Sequence, residues 1–205
     1  MFTIGHSTLP IDIFIHALHE NNVALLVDVR TIPRSRHNPQ FGTEELAASL
    51  HAAGIHYRWM RSLGGLRHSR KDSINMRWHN TSFRGYADYM QTDAFAAALK
   101  ELMVLDGETT VAIMCSEAVP WRCHRSLIGD ALLVQTHRVE DIFVTPVGKS
   151  HRRVHTLTSF ARVQGSTLWY PEDAMLATFP AELQMTTASS RTQYLRTSER
   201  KKSIV

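Results

Sequence analysis

Cysteine is nearly absent: the 205 residues hold two, Cys115 and Cys123, separated by seven residues. Long hydrophobic runs are missing as well. None approaches the roughly 20 apolar residues that a membrane helix requires. The amino-terminal stretch MFTIGHSTLP lacks the basic segment and apolar core of a signal peptide. We therefore expect a cytoplasmic protein with no membrane partner, where a structural disulfide is not expected. Internal repeats are absent. Positive side chains are missing from residues 1–29, which carry Asp12, Glu20 and Asp28 but no Lys or Arg.

What is present fits one globular domain. The length suffices to bury a core without metal or disulfide staples, and 43% hydrophobic with 20% charged residues is ordinary for such a domain. The net charge of +4 is unevenly placed. Residues 30–84 carry nine Arg and Lys71 against Glu44, Glu45 and Asp72, and residues 186–205 carry five bases against Glu199. An Arg-dense segment suits an anionic partner, either a small anion or a nucleic-acid backbone. The plainer alternative is a solvated surface with local ion pairs.

The pattern of apolar residues alternates between strand and helix. Strands are expected at Phe2–His6, Val23–Val29, Ile55–Met60, Thr109–Met114 and Arg138–Val144. Helices are expected at 10–21, from Thr43 to Gly54, at 85–91, at 93–105 and at about 122–135, with Asp106-Gly107 as a turn. The apolar runs 23–29 and 109–114 read as buried parallel strands. The whole predicts an α/β domain with a mostly parallel sheet and helices on both faces. Residues 1–150 would form its core, 151–185 an extension packing on it, with a hairpin strand near Ser166–Tyr170, and 186–205 a flexible basic tail. The long polar stretch 61–84 would be either functional or poorly ordered.

In such sheets ligands bind at the carboxyl ends of the strands, and here those ends collect Arg, His and Cys. Cys115 closes one buried strand and is followed by a loop and a helix. A thiol beside a helix start and arginines is activated as thiolate. Cys115 is expected to be the more reactive thiol, with Cys123 turned inward in the first helical turn. Both have a bland alternative as small core residues. Arg122 and Arg125 can hold an anion in bidentate fashion. The loop lacks glycine, and Pro120 removes a donor, so it is no tight phosphate cradle. Asp28 and Arg30 close the other buried strand. Either they pair structurally, or Asp28 is a candidate catalytic acid and Arg30, with Arg34 and Arg36, joins an anion site. His6, at the end of the first strand, is either a hydrogen-bonded structural residue or a general base. Glu117 is a second candidate acid or base. Cys123, His124 and Tyr86 are a further candidate set, with Tyr86 equally suited to packing. No metal ligand is assigned, because the spacing of Cys115, Cys123, His124 and His6 matches no standard zinc pattern.

The strings TIGHST (3–8), LVDVRTIPRSR (26–36), LGGLR (63–67), FRGYADYM (83–90) and CSEAVPWRCHRSLIGDAL (115–132) resemble the bacterial "domain of unknown function 488" family. The resemblance implies an α/β fold. It supplies no activity, substrate or cofactor. In layout, a strand ending in Asp28-Val29-Arg30 and a later one ending in Cys115 before a helix is similar to rhodanese-like domains. Two functions stay open: an enzyme using Cys115 on a phosphate- or sulfur-containing anion, or a nucleic-acid-binding or nucleic-acid-processing protein using the basic 30–84 loops.

Overall fold

Two uninterrupted apolar runs set the middle of the sheet. In the computed structural model, which describes residues 1–172, they become β2 (Leu25–Asp28) and β4 (Val111–Cys115), buried at every position. Between them and around them run β1 (Phe2–Gly5), β3 (His56–Trp59), β5 (Glu140–Val144) and β6 (Ser150–Val154). The order across the sheet is β3-β2-β4-β1-β5-β6, with every pairing parallel except β5 with β6. Residues 173–185 of the extension expected over 151–185, and the whole expected tail 186–205, lie outside the described residues.

Strand side chains alternate between faces, and each face has its own core. Ile4, Leu26, Ala112 and Met114 pack with Phe14, Ala17 and Leu18 of α1 (Ile11–Glu20) and Leu46 and Leu50 of α2 (Thr43–Ala52). Val27, Val111, Ile113 and Cys115 face the other way. They meet α3 (Thr81–Tyr89), α4 (Asp93–Glu108) and α5 (Arg125–Val134) through Tyr86, Phe95, Leu102, Leu127 and Ile128. Each fully buried aliphatic or aromatic side chain contributes about 1.5–3 kcal/mol relative to exposure. The domain is therefore α/β, with helices on both faces of a mostly parallel sheet. A hairpin of β7 (Arg162–Gln164) and β8 (Thr167–Trp169) packs against α5, placing Leu168 and Val163 in the second core.

Several boundaries differ from the sequence reading. Thr43 does not cap α2: Gly42 holds that place, and the Thr43 hydroxyl donates to the Pro33 carbonyl instead. Helix α4 runs through Asp106-Gly107, since Gly107 faces open space and the Thr109 N–H still reaches the Leu105 carbonyl. Helix α3 starts at Thr81, earlier than expected, because the Asn80 side chain accepts from the N–H groups of Ser82 and Phe83. Helix α5 starts at Arg125 rather than Arg122. Pro120 opens a separate 3-10 turn, Pro120–Arg122, and Cys123 behind it is extended at φ −136°, ψ 146°. Cys123 therefore precedes the helix instead of lying in its first turn. The sheet does not end at β5, because the chain after Lys149 returns as β6.

The long segment 61–84 is tied down by one buried carboxylate. Asp88 on α3 accepts from the Arg70 N–H at 2.8 Å, the Ser73 hydroxyl at 2.6 Å and the Asn75 amide at 2.8 Å. Asn75 in turn accepts the Tyr170 N–H at 2.9 Å. A second buried network joins sheet, helix and hairpin. His155 lies between Asp141 of β5, at 2.9 Å, and Asp130 of α5, at 3.3 Å. The Thr3 and Tyr170 hydroxyls donate to the same two carboxylates.

Candidate functional site

The crossovers leaving β1 and β4 run in opposite directions, toward β2 and toward β5. That is a topological switch point, where open α/β sheets leave a crevice beyond the strand ends. A cleft of about 930 Å³ lies there, lined by His6, Arg30, Cys115, Glu117, Cys123 and His124, with Arg34 and Arg122 among the flanking bases. The ends of β1 and β4 are stitched together past the strands. The His6 N–H donates to the Cys115 carbonyl at 3.1 Å, and the Ser7 N–H to that of Ser116 at 2.9 Å. Gly5 permits this closeness, because a Cβ there would sit 1.9 Å from the Glu117 carbonyl oxygen.

Asp28 and Arg30 are committed to each other. The Arg30 guanidinium donates to Asp28 through Nε and Nη2, the latter at 2.5 Å, and Nη2 also reaches the Phe41 carbonyl. Asp28 is fully buried, accepts the Tyr57 hydroxyl and does not reach the cleft. Arg30 Nη1 faces His6 Nε2 at 3.3 Å, while His6 Nδ1–H donates to the Ser7 carbonyl at 2.9 Å. The His6 ring stacks on Phe41, with centroids 4.1 Å apart. Burial, then the Arg30 charge, lowers the His6 pKa to about 4, so its imidazole is neutral at neutral pH. Both its nitrogens are engaged, which fits a wall residue better than a general base.

The thiols lie on the cleft floor. Cys115 and Cys123 are both reduced and buried, yet both line the cleft. Cys123 Sγ is 3.6 Å from His124 Nδ1. His124 Nε2–H donates to the Val29 carbonyl at 3.0 Å, which points Nδ1 at the sulfur. Tyr86, whose hydroxyl is spent on the Leu63 carbonyl, braces the His124 ring at 4.9 Å between centroids. Gly65 leaves room on the other side, since a Cβ there would fall 2.4 Å from Nδ1. Of the Gly64-Gly65 pair, Gly65 thus makes room for an imidazole and Gly64 for Thr31.

Arg125 is the electrostatic anomaly. It is 1% exposed and forms no ion pair among the described residues. Its Nη2 donates to the Glu117 carbonyl at 2.5 Å, and its buried Nε has no partner. A buried charge without compensation costs several kcal/mol. The groups able to balance it are the thiols. A hydrogen bond from Cys115 holds the Cys123 thiol well below its usual range, helped by His124 and Arg125. The same hydrogen bond, together with burial, pushes Cys115 up. The two thiols thus shift in opposite directions, Cys123 toward the thiolate and Cys115 toward the thiol. The sequence reading expects the reactive thiol at Cys115; the direction of these shifts favours its neighbour across the loop, Cys123. Cys123 is extended and lies outside the helix, within reach of Cys115 and His124.

Other expected residues lie farther out. Glu117 is exposed at the rim, and its backbone, not its carboxylate, meets Arg125. Arg122 is exposed at the mouth, whereas Arg36 is exposed away from the cleft and Arg34 takes its place. Ile32 and Leu66, which the sequence reading did not single out, stand 62% and 69% exposed at the rim and give the opening an apolar edge.

The fold and this floor define an α/β domain with a Cys-Cys-His cluster, backed by arginines, at the sheet's switch point. The model of the family "Domain of unknown function DUF488" matches residues 10–132, and the chain belongs to that family. No curated protein and no solved structure matches it. Among the described residues no helix is long and apolar enough to cross a membrane.

Proposed function

We propose that the protein is an enzyme acting on a small phosphate- or sulfur-containing anion, with the Cys115–Cys123 pair as its reactive group. The observation that carries this is Arg125: a buried guanidinium with no carboxylate partner among the described residues, beside two reduced thiols that open onto a cleft. In the first step the Cys123 thiolate attacks the electrophilic phosphorus or sulfur of the substrate. The bond from Sγ forms as the bond to the leaving group breaks, and the Cys115 thiol supplies the proton that neutralises the leaving group. Arg34 and Arg122 at the rim attract the anion, and the start of α5 adds its positive end. The test is labelling of chelator-treated protein with limiting iodoacetamide, with and without phosphate or sulfate at constant ionic strength. Modification of Cys123 that these anions slow supports the reading. Labelling indifferent to them sinks it.

A second reading, nucleic-acid binding, is favoured by a different face. Trp121 is 58% exposed and lies 6.0 Å from Phe143, which stacks on His151 at 5.1 Å, with Arg153 5.7 Å above the Phe143 ring. Aromatic rings beside bases can stack a single strand. The 30–84 bases contribute less than their number suggests: Arg30, Arg58 and Arg70 are paired with Asp28, Glu101 and Asp72. Fluorescence anisotropy with a labelled oligonucleotide tests this reading. Affinity that falls steeply with salt and is lost in Trp121→Ala supports it, and no binding at low salt excludes it.

A further inference from the structure

The geometry points to a second use of the same cluster: Cys115, Cys123 and His124 form a three-ligand site for a thiophilic divalent cation such as Zn2+, with the fourth position open to the cleft. The inference stands on ligand placement and does not rest on the enzymatic reading above.

The donor atoms of the three side chains all lie within 4.8 Å of one another. A tetrahedral zinc holds sulfur at about 2.3 Å and nitrogen at about 2.0–2.1 Å. Those lengths at a tetrahedral angle set a sulfur and a nitrogen ligand about 3.6 Å apart, and Cys123 Sγ to His124 Nδ1 is 3.6 Å. The imidazole is already oriented for this role. Its Nε2–H is anchored on the Val29 carbonyl at 3.0 Å, the usual outer partner of a metal-bound histidine. Gly65 and Tyr86 fix the ring from either side, so coordination requires little reorganisation.

Three protein ligands with one side facing open space is the arrangement of a zinc site that keeps a free position, not of a closed structural one. All three residues border the cleft, so the fourth ligand would come from it. Coordination by two thiolates and a neutral imidazole releases the proton still held by the thiol pair to solvent and leaves the metal centre neutral. The uncompensated Arg125 beside it then favours an anion, such as hydroxide or chloride, as fourth ligand. Sequence spacing hid this set because Cys123 and His124 are consecutive and the third ligand comes from another strand end. His6, the fourth residue weighed for a metal, is turned to Arg30 and takes no part.

The test uses the full chain stripped with chelator and titrated with Zn2+ in equilibrium dialysis. One equivalent should bind at micromolar concentration, and loading should protect both thiols from iodoacetamide. Co2+ in place of zinc should give a thiolate-to-cobalt charge-transfer band and the intense visible bands of a tetrahedral site. Cys115→Ser, Cys123→Ser and His124→Asn should each weaken Zn2+ about 100-fold or more, exceeding the 10–100-fold typical of outer-shell losses. The cobalt spectrum of the unmodified chain keeps the test independent of whether a variant folds. Absence of bound zinc, a pale octahedral cobalt spectrum, or unchanged affinity in Cys123→Ser would overturn the site. Anion-protected labelling of Cys123 in protein that binds no zinc rejects the metal site and leaves the thiol chemistry standing. Zinc bound by protein whose thiols ignore anions does the reverse.

Discussion

Raising the pH should loosen the carboxyl-terminal part of the domain through one histidine. His155 is 8% exposed and held between Asp141 and Asp130. Burial opposes its charge, but the two carboxylates outweigh burial and raise its pKa from 6.5 to about 9. A group whose folded pKa is raised contributes stability that is fully present below the unfolded value and is lost as pH climbs through the folded one. The window is therefore about pH 6.5 to 9. At about 1.4 kcal/mol per pH unit between the two values, the contribution is about 3 kcal/mol. Deprotonation would leave two buried carboxylates facing a neutral ring, with only the Thr3 and Tyr170 hydroxyls and the Thr158 N–H to satisfy them. Urea denaturation at a series of pH values measures this directly. The unfolding free energy of the unmodified chain should fall by about 3 kcal/mol across the window. His155→Asn should be less stable at pH 6.5 and nearly flat. A flat profile for the unmodified chain, or an equal fall in the variant, would refute the reasoning.

Three further outcomes follow from packing. Gly65→Ala should displace His124, because its Cβ falls 2.4 Å from Nδ1; loss of zinc binding with the melting temperature nearly unchanged is expected in calorimetry and dialysis. Gly5→Ala places a Cβ 1.9 Å from the Glu117 carbonyl oxygen, an overpacking against backbone that should cost at least about 1–3 kcal/mol in denaturant titration. Asp88→Ala removes the acceptor of three hydrogen bonds and should cost about 2–4 kcal/mol; limited proteolysis should then cut within residues 66–79, where the unmodified chain resists.

The sheet was legible because its signal is local. Val23–Val29 and Thr109–Met114 are continuous apolar runs, and such runs between helical segments fix a parallel sheet and the side on which its loops collect. That His6, Arg30 and Cys115 meet in one cleft also follows from strand ends alone. Tertiary relations were less legible. Asp28 reads as a candidate acid until Tyr57, 29 residues on, is seen to donate to it. Asp106-Gly107 reads as a turn, but Gly107 meets no neighbour and the helix passes through it. The shift of Cys123 toward the thiolate depends on its extended conformation and on a buried Arg125 with no ion-pair partner among the described residues, and neither leaves a mark in spacing. Gly64-Gly65 carried the one available hint, since a glycine pair in a polar loop signals close approach. What approaches, the His124 ring, lies about sixty residues away.

The central claim is that the Cys115–Cys123 pair, with Cys123 as its thiolate, forms the reactive floor of an anion-binding cleft. Peptide mapping after limiting iodoacetamide tests it most directly, on chelator-treated full chain with and without phosphate and sulfate. The account expects carboxamidomethylation mainly at Cys123, slowed severalfold by either anion and unaffected by the same ionic strength of chloride. Preferential labelling of Cys115, or labelling of Cys123 that no anion slows, would contradict it.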